Sequence, residues 1–273
     1  MRKPIYARYF YANSKKELLA ELNLLFQTEV QYFNNALGII VPHAGYMYSG
    51  LVAAKTYKAI SSIKKKRFVI LGVDHQGVNA ISTSKQNWLT PLGEVKVDID
   101  FINKITKEQA IVVDEIAISR EHSIEVQLPF LQYLFEDFKF VPIQLPNISY
   151  KEILNLAELL KDKDTFYIAS SDLTHYGINY RFIPRESIYD PISYVENLDQ
   201  KIINKIQEYN PKEFLDFISE YDLTVCGVIP IALLLEITKR LGGKKVEKIA
   251  YDTSFSISKD NSNIVGYCGL LIC

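Results

Sequence analysis

Four histidines are the residues of this sequence whose types and positions first suggest chemistry. His43 follows the apolar run GIIVP, His75 follows FVILGVD and His175 follows FYIASSDLT, so each lies just beyond a predicted strand. In an open parallel sheet, ligand sites lie beyond the carboxyl ends of the strands. We therefore expect these three imidazoles to meet in one crevice, although any one of them alone is more typical of a satisfied loop residue. The fourth, His122, stands in SREHSIEVQLPFL at the start of a predicted helix.

Cys226 joins this set because it comes just before a long apolar helix, GVIPIALLLEITKRLG. A thiol at a helix amino terminus feels the positive end of the helix dipole, which favours the thiolate, and the thiolate is both a nucleophile and a metal ligand. The alternative is a buried, unreactive cysteine that packs as a small apolar residue. Cys268 and Cys273 fit that alternative better, since they lie in or beside a predicted terminal strand.

Two pairs of an acidic residue and a histidine share a spacing of three residues. Asp172 precedes His175 in SSDLTHYG. A carboxylate at that spacing can hold one imidazole tautomer and raise the basicity of the ring. Glu125 follows His122 at the same spacing. For Glu125 alone, a simpler role in the first turn of its helix, with Ser123 at the start, is the favoured interpretation.

Several catalytic motifs are absent, which reduces the number of reactions that the sequence could support. The run HAGYMYSG lacks the Lys-Ser/Thr ending of a phosphate-binding loop, no GxGxxG follows a predicted strand, and no GxSxG is present. What remains is a group of histidines with one cysteine and one aspartate. Two imidazoles and one thiolate suit zinc, copper or iron, with open positions for water or substrate. A Cys–His nucleophile pair is the competing chemistry.

Short apolar runs that alternate with segments of helical period predict the elements that position these residues. Strands are predicted over 37–41, 67–72, 138–145 and 165–170, with two more near the end of the sequence. Helices are predicted over 15–30, 51–60, 124–135, 150–160, 198–208, 211–219 and 228–241. This alternation predicts an α/β fold with a central, mostly parallel mixed sheet, helices on both faces and antiparallel strands at one edge. The irregular segment 178–197 is long enough to serve as a cover over a site.

Composition and charge limit the class of protein. The 273 residues include 31 Lys and Arg and 32 Asp and Glu, for a net charge of -1, so no nucleic acid is expected as a partner. Three widely spaced cysteines argue against a disulfide framework, and we recognise no secretory signal or membrane-spanning segment. We expect one domain over residues 1–273, in the cytoplasm and without membrane attachment, and leave the oligomeric state open.

Five blocks of the sequence together resemble the Memo family: VPHAGYMYSG, VILGVDHQG, SREHSIEVQLPFL, SSDLTHYG and VCGVIPI. They stand in the family's order and cover most of the sequence. The resemblance implies a single α/β domain similar in fold to the class III extradiol dioxygenases, which are non-haem iron enzymes. It also implies that His43, His75 and Cys226 form a metal-binding set, and that Asp172 and the remaining histidines line the same pocket.

The resemblance also bears on partners and on the reaction. Members of the family look like parts of the AmmeMemoRadiSam grouping, which implies a radical-SAM protein as a partner. In the dioxygenases the third iron ligand is a carboxylate, whereas here it would be Cys226, a softer and more easily oxidised donor. That difference argues against ring cleavage of a catechol, because a shared fold does not transmit a reaction.

These inferences assign a role to each candidate residue. The expected metal ligands are His43, His75 and Cys226. We expect iron, with copper or zinc as alternatives. His175 would act as a general acid or base or as an outer ligand, oriented by Asp172 and accompanied by His122. The residues expected to contact a small aromatic or anionic ligand are Tyr46, Tyr48, Glu125 and Arg185.

The sequence is compatible with three functions. The first is a metal-dependent redox enzyme that uses iron or copper with molecular oxygen or a reactive oxygen species. The second is a non-catalytic module whose pocket recognises a peptide or a small ligand. The third is a hydrolase that uses zinc-bound water or the Cys226 thiolate.

Overall fold

A mixed sheet of eleven strands forms the centre of the computed structural model, which describes residues 1–273. The strands are β1 (Gly38–Val41), β2 (Arg67–Val73), β3 (Ser82–Thr83), β4 (Trp88–Thr90), β5 (Gly93–Val97), β6 (Val112–Val113), β7 (Lys139–Leu145), β8 (Thr165–Ser170), β9 (His175–Gly177), β10 (Val246–Thr253) and β11 (Asn263–Ile272). Their main order across the sheet is β10-β11-β1-β8-β2-β7-β3-β6, and the sheet does not close into a barrel.

Ten helices surround this sheet. They are α1 (Lys15–Leu25), α2 (Tyr46–Ala59), α3 (Ile99–Ile105), α4 (His122–Glu125), α5 (Leu128–Leu134), α6 (Tyr150–Leu160), α7 (Pro191–Gln207), α8 (Pro211–Glu220), α9 (Val228–Arg240) and α10 (Phe255–Ser258). A Cβ atom on Gly269 of β11 would clash with Thr56 of α2, and one on Gly266 would clash with Asp199 of α7. Residues three apart in a strand point to opposite faces. The two helices therefore cover opposite faces of the sheet, which confirms the predicted α/β architecture.

The four central strands are parallel and almost entirely buried. β1 pairs with β8, β8 with β2, and β2 with β7, all in the same direction. Their apolar, β-branched sequences are typical of strands that are covered on both faces. The sequence predicts all four within one residue of their observed ends, because burial on both faces leaves a clear compositional signal.

The two edges of the sheet differ in how well the sequence predicts them. β11 lies between β1 and β10 and is antiparallel to both, as the terminal strand pair predicts. The opposite edge contains β3, β4, β5 and β6, which the sequence does not predict. Each of these strands has only two to five residues, too few for a periodic pattern to become visible.

Four helical regions differ from their predicted bounds. α1 ends at Leu25 rather than at residue 30, and α2 begins at Tyr46 rather than at residue 51. The other two differ for local reasons. α7 begins at Pro191 rather than at residue 198, because the Asp190 side chain caps it by accepting a hydrogen bond from the Ser193 backbone N–H. The predicted cover over 178–197 is therefore partly helix. The single helix predicted over 124–135 is instead two helices, α4 and α5, with Pro129 in the first turn of the second.

The apolar core is continuous from one face of the sheet to the other. A single cluster of 64 buried residues joins the central strands to the helices on both sides. Among the helices, none is both long enough and apolar enough to cross a bilayer.

The close approach of α2 to β11 generates a prediction about stability. Gly269→Ala would force the new methyl group against the Thr56 hydroxyl, and we expect it to lower the free energy of unfolding by about 1–3 kcal/mol. In a Thr56→Ala background the hydroxyl is gone, so the same change should cost clearly less. Urea unfolding of the four proteins measures both costs, and equal costs in the two backgrounds would show that this contact does not limit the packing.

Asp199 of α7 should make stability depend on pH. It accepts hydrogen bonds from the Thr174 backbone N–H at 3.0 Å and from the Tyr251 hydroxyl at 2.8 Å, and burial raises its pKa to about 7. The folded state then keeps a proton that the unfolded state releases near pH ~4, so stability falls as the pH rises from ~4 to about 7.

We expect Asp199→Asn to remove this loss of stability. The melting temperature of the variant should exceed that of the natural protein by at least ~2 °C at pH 8, with a smaller difference at pH 4. Thermal melts followed by circular dichroism across this pH range provide the measurement. Parallel pH profiles for the two proteins would contradict the assignment of the raised pKa.

Candidate metal centre

Three of the candidate residues lie close together because they follow the ends of three neighbouring strands. His43 follows β1, Asp172 follows β8 and His75 follows β2. β8 lies between the other two strands and pairs with both in parallel. Because the carboxyl ends of parallel strands share one edge of a sheet, the three residues enter the same space, as the sequence predicts.

The ring of His43 is held so that its Nε2 atom carries the free lone pair. Its Nδ1 atom lies 3.0 Å from the Ser170 hydroxyl oxygen. That hydroxyl donates a hydrogen bond to the backbone oxygen of Ser123 at 2.6 Å. It can therefore only accept a hydrogen bond from His43. Nδ1 is therefore the protonated nitrogen of the neutral ring, and Nε2 is available as a ligand.

A buried carboxylate has the same effect on His75. Glu121 lies directly before α4, where its Oε1 is 2.9 Å from His75 Nδ1 and its Oε2 accepts the His75 backbone N–H at 3.1 Å. Burial opposes ionisation of Glu121, but the hydrogen bond and the charge from His75 outweigh it and lower the pKa to about 2. The carboxylate fixes the Nδ1–H tautomer and makes Nε2 a stronger donor. Sequence reasoning missed Glu121, although its position beside His122 in SREHSIE is a signal that could have identified it.

Cys226 lies two residues before α9, close to both His43 and Asp172. The Asp172 backbone N–H donates to the Cys226 sulfur at 3.1 Å, and His43 Nε2 lies 3.2 Å from the same sulfur. Burial raises the pKa of the Cys226 thiol, and the charge of Asp172 adds to the effect, so the helix dipole expected from the sequence does not by itself produce a thiolate. A bound metal ion would supply that stabilisation, because coordination deprotonates a thiol.

The donor atoms of His43, His75 and Cys226 lie within 4.8 Å of one another. Burial, followed by the charge of His75, lowers the pKa of His43 to about 3, which keeps the ring in the neutral form that a ligand requires. Two imidazole nitrogens with free lone pairs and one sulfur fit zinc, copper and iron alike. The structure thus contains a group that could bind a metal ion, formed by the residues that the sequence predicts.

His122 completes a cluster of three imidazoles. Its ring centroid lies 4.3 Å from that of His75 and 5.2 Å from that of His43. His75, Glu121 and His122 form a second close group of possible ligands. However, the Glu121 carboxylate already accepts from His75 and from the Ser123 backbone N–H at 2.8 Å, so it acts as a partner of the imidazole rather than as a free ligand.

His175 presents an uncommitted nitrogen to the same space. Its Nδ1 lies 3.0 Å from the backbone oxygens of both Leu173 and Thr224, which makes Nδ1 the protonated nitrogen and leaves Nε2 free. These carbonyl groups, and not Asp172, orient the ring. Asp172 instead holds the segment of His43, whose backbone N–H it accepts at 2.8 Å.

These side chains open into a cavity of about 530 Å³, which is a typical size for a small-molecule site. All four histidines line it together with Asp172. The aromatic residues in its wall are Phe10, Tyr48, Tyr180 and Tyr267. Of these, the sequence predicts only Tyr48, because the others come from segments that no motif connects to the histidines.

Tyr46, Glu125 and Arg185, which the sequence also suggests as ligand contacts, do not line this cavity. Tyr46 points into the core and donates its hydroxyl to the Val126 backbone oxygen at 2.6 Å, since residues two apart on a helix face nearly opposite ways. The carboxylate of Glu125 pairs with Arg2 at 2.6 Å and also accepts backbone N–H groups of the amino-terminal segment. Arg185 is exposed in a short 3₁₀ turn.

The fold and this site define an α/β protein with a candidate His/His/Cys metal centre, and comparison with known proteins agrees. A family model described as Memo-like protein matches residues 2–271. A MEMO1 family protein of Nitrosopumilus maritimus is 36% identical over 281 residues, covering 98% of each chain. Another, of Pyrobaculum aerophilum, is 35% identical over 289 residues, covering 99% of this chain and 98% of the relative. The chain therefore belongs to the Memo-like family, as the five sequence blocks predict.

The partnership of Glu121 with His75 generates a prediction about metal affinity. Glu121→Gln keeps the shape of the side chain but removes its charge, so His75 becomes a weaker donor. We expect binding of Zn²⁺ or Fe²⁺ to weaken by about 10- to 100-fold, as measured by competition with a chromophoric chelator. Asp260→Asn makes the same kind of change at a carboxylate that lines the cavity, so it is the matched control and should leave the affinity unchanged. Equal affinities for Glu121→Gln and the natural protein would remove the proposed role of Glu121.

Proposed function

We propose that this protein is a metal-dependent redox enzyme, with iron as the first candidate metal and copper as the second, acting on a small molecule in the histidine-lined cavity. The observation that carries the proposal is the group of three donor atoms, all within 4.8 Å of one another, beside an open cavity of about 530 Å³. Three protein ligands and an accessible cavity leave coordination positions for a substrate, whereas a structural site closes its coordination shell with protein ligands.

The donor set is compatible with a redox-active metal. When bound, iron or copper would supply electron-transfer chemistry to a molecule in the cavity. A thiolate in the third position is a softer and stronger electron donor than a carboxylate. We therefore do not assign the ring-cleavage reaction of enzymes whose third ligand is a carboxylate.

The other residues of the cavity would bind the substrate and move protons. Four aromatic rings in the wall favour a flat, aromatic group. Apart from the histidines, the charged residues that line the cavity are Asp172 and Asp260, which favours a neutral or cationic ligand over an anionic one. His175 can take or give a proton at Nε2, because its Nδ1 proton is held by two carbonyl groups.

Metal content tests the proposal directly. Elemental analysis of freshly isolated protein, purified without added metal, should find close to one iron or copper ion per chain. Cys226→Ser should lose most of this metal, because the hydroxyl of serine is a much weaker ligand than a thiolate. Cys273→Ser is the matched control, since Cys273 lies outside the site, and it should retain the metal. His175→Asn should also retain the metal, since His175 is not one of the three ligands.

Other results would favour the remaining functions. The 3.2 Å separation of Cys226 and His43 would also suit a thiol nucleophile and its base, so a zinc or thiol hydrolase is the second candidate. Stoichiometric zinc, with ester or amide turnover that His175→Asn abolishes, would support that candidate. Protein that contains no metal, with a peptide bound equally well by Cys226→Ser, would support a non-catalytic binding module. Either result would contradict a redox enzyme.

A further inference from the structure

A second cavity, of about 710 Å³, lies beside the candidate metal centre. It is formed by the carboxyl ends of β2 and β7, by α8 and by the segment that leads into α9. Cys226 lines this cavity, whereas His43, whose Nε2 is 3.2 Å from the Cys226 sulfur, lines the other one. The contact between these two residues therefore forms part of the partition between the cavities. The position beyond the ends of parallel strands is where ligands bind in this class of fold.

The wall of this second cavity is mainly apolar. Eleven of its nineteen lining residues are hydrophobic, so a fully polar molecule would leave its hydrogen bonds unmade there. Leu215 and Ile218 of α8 form one side, and Val225 and Ile229 lie on the approach to α9. A volume of this size accommodates a small organic molecule with an apolar body.

The charges at this cavity are mostly negative. Asp74, Asp216 and Asp222 line it together with one cation, Lys212. Lys212 forms an ion pair with Asp216 one turn along α8, which neutralises that pair. Asp74 and Asp222 have no cationic nitrogen within 4.0 Å; the two oxygens of Asp74 accept from neutral donors, the Gln144 amide at 2.7 Å and a backbone N–H at 2.8 Å. Two carboxylate charges thus remain without a positive partner.

We propose that this second cavity binds a small organic cation, an alkyl- or arylammonium compound. Its apolar body would pack between α8 and the start of α9, and its ammonium group would lie near Asp74 and Asp222. The apolar wall supplies most of the affinity, and the two uncompensated carboxylates select a cation over a neutral or anionic molecule of the same size. This site does not depend on the proposed metal or reaction, since none of its contacts requires a bound ion.

A series of probes that differ only in charge tests the proposal. The isolated protein is titrated with hexylammonium, hexanol and hexanoate, and binding is followed by methyl NMR. Hexylammonium should bind about three- to five-fold more tightly than hexanol, a ratio typical of an exposed ion pair, and hexanoate should bind most weakly. The shifted methyl signals should be those of Ile218, Val225 and Ile229, and not that of Val265 in the histidine-lined cavity.

Two variants, each with a matched control, locate the site. Leu215→Trp fills the cavity and should abolish binding of hexylammonium, whereas Phe217→Trp on the same helix lies outside the cavity wall and should preserve it. Asp222→Asn removes one of the two carboxylates, so it should weaken binding of hexylammonium by about two-fold and leave hexanol unaffected. Asp222 has a φ of 48°, a conformation that asparagine tolerates, so the backbone should not change. Glu220→Gln is its control and should have no effect.

Several results would overturn the proposal. Equal binding of the three probes would show that the carboxylates do not select charge. Unchanged binding by Leu215→Trp, or shifts confined to the histidine-lined cavity, would place the ligand elsewhere. No binding of any probe to correctly folded protein would show that the cavity does not take a molecule of this kind.

Discussion

The bonds made by Asp172 are the constraint on which the arrangement of the site depends. Its backbone N–H donates to the sulfur of Cys226, and its carboxylate accepts the backbone N–H of His43. The bond to His43 is buried and the bond to Cys226 is partly buried. A buried donor or acceptor left without a partner costs about 1–3 kcal/mol. One residue at the end of β8 therefore fixes the relative positions of two segments that are far apart in the sequence, and it does so through bonds that need no metal ion.

Three of the four imidazole rings acquire the same tautomer through three different kinds of acceptor. His43 donates from Nδ1 to a hydroxyl, His75 to a carboxylate and His175 to two carbonyl oxygens. The result is the same in each case, because the remaining nitrogen is left without a proton. The partners differ in charge, however, and the ring paired with the Glu121 carboxylate is the strongest metal-ligand donor of the three.

The sequence predicts the parts of this site that follow from general rules of the fold, and misses the parts that depend on the path of the chain. Buried parallel strands are recognisable from composition. His43, His75 and His175 follow the carboxyl ends of such strands and therefore lie at one edge of the sheet. Glu121 does not follow from these strand exits, because its hydrogen-bond partner His75 lies 46 residues away in the sequence. Glu125 was suggested by its spacing, yet the amino-terminal segment occupies its carboxylate.

The position of β11 has a consequence for the order in which the protein is made. β11 pairs with β1 along one part of its length and with β9 along another. It is nevertheless the last strand in the sequence. During synthesis, one edge of β1 therefore stays unpaired until residue 272 has emerged from the ribosome. His43 and His75 are also made long before Cys226. Before Cys226 is made, the nascent chain has imidazoles and carboxylates but not this thiol, and its sheet is incomplete. The complete set of three donor atoms would thus form only after Cys226 and β11 have been made.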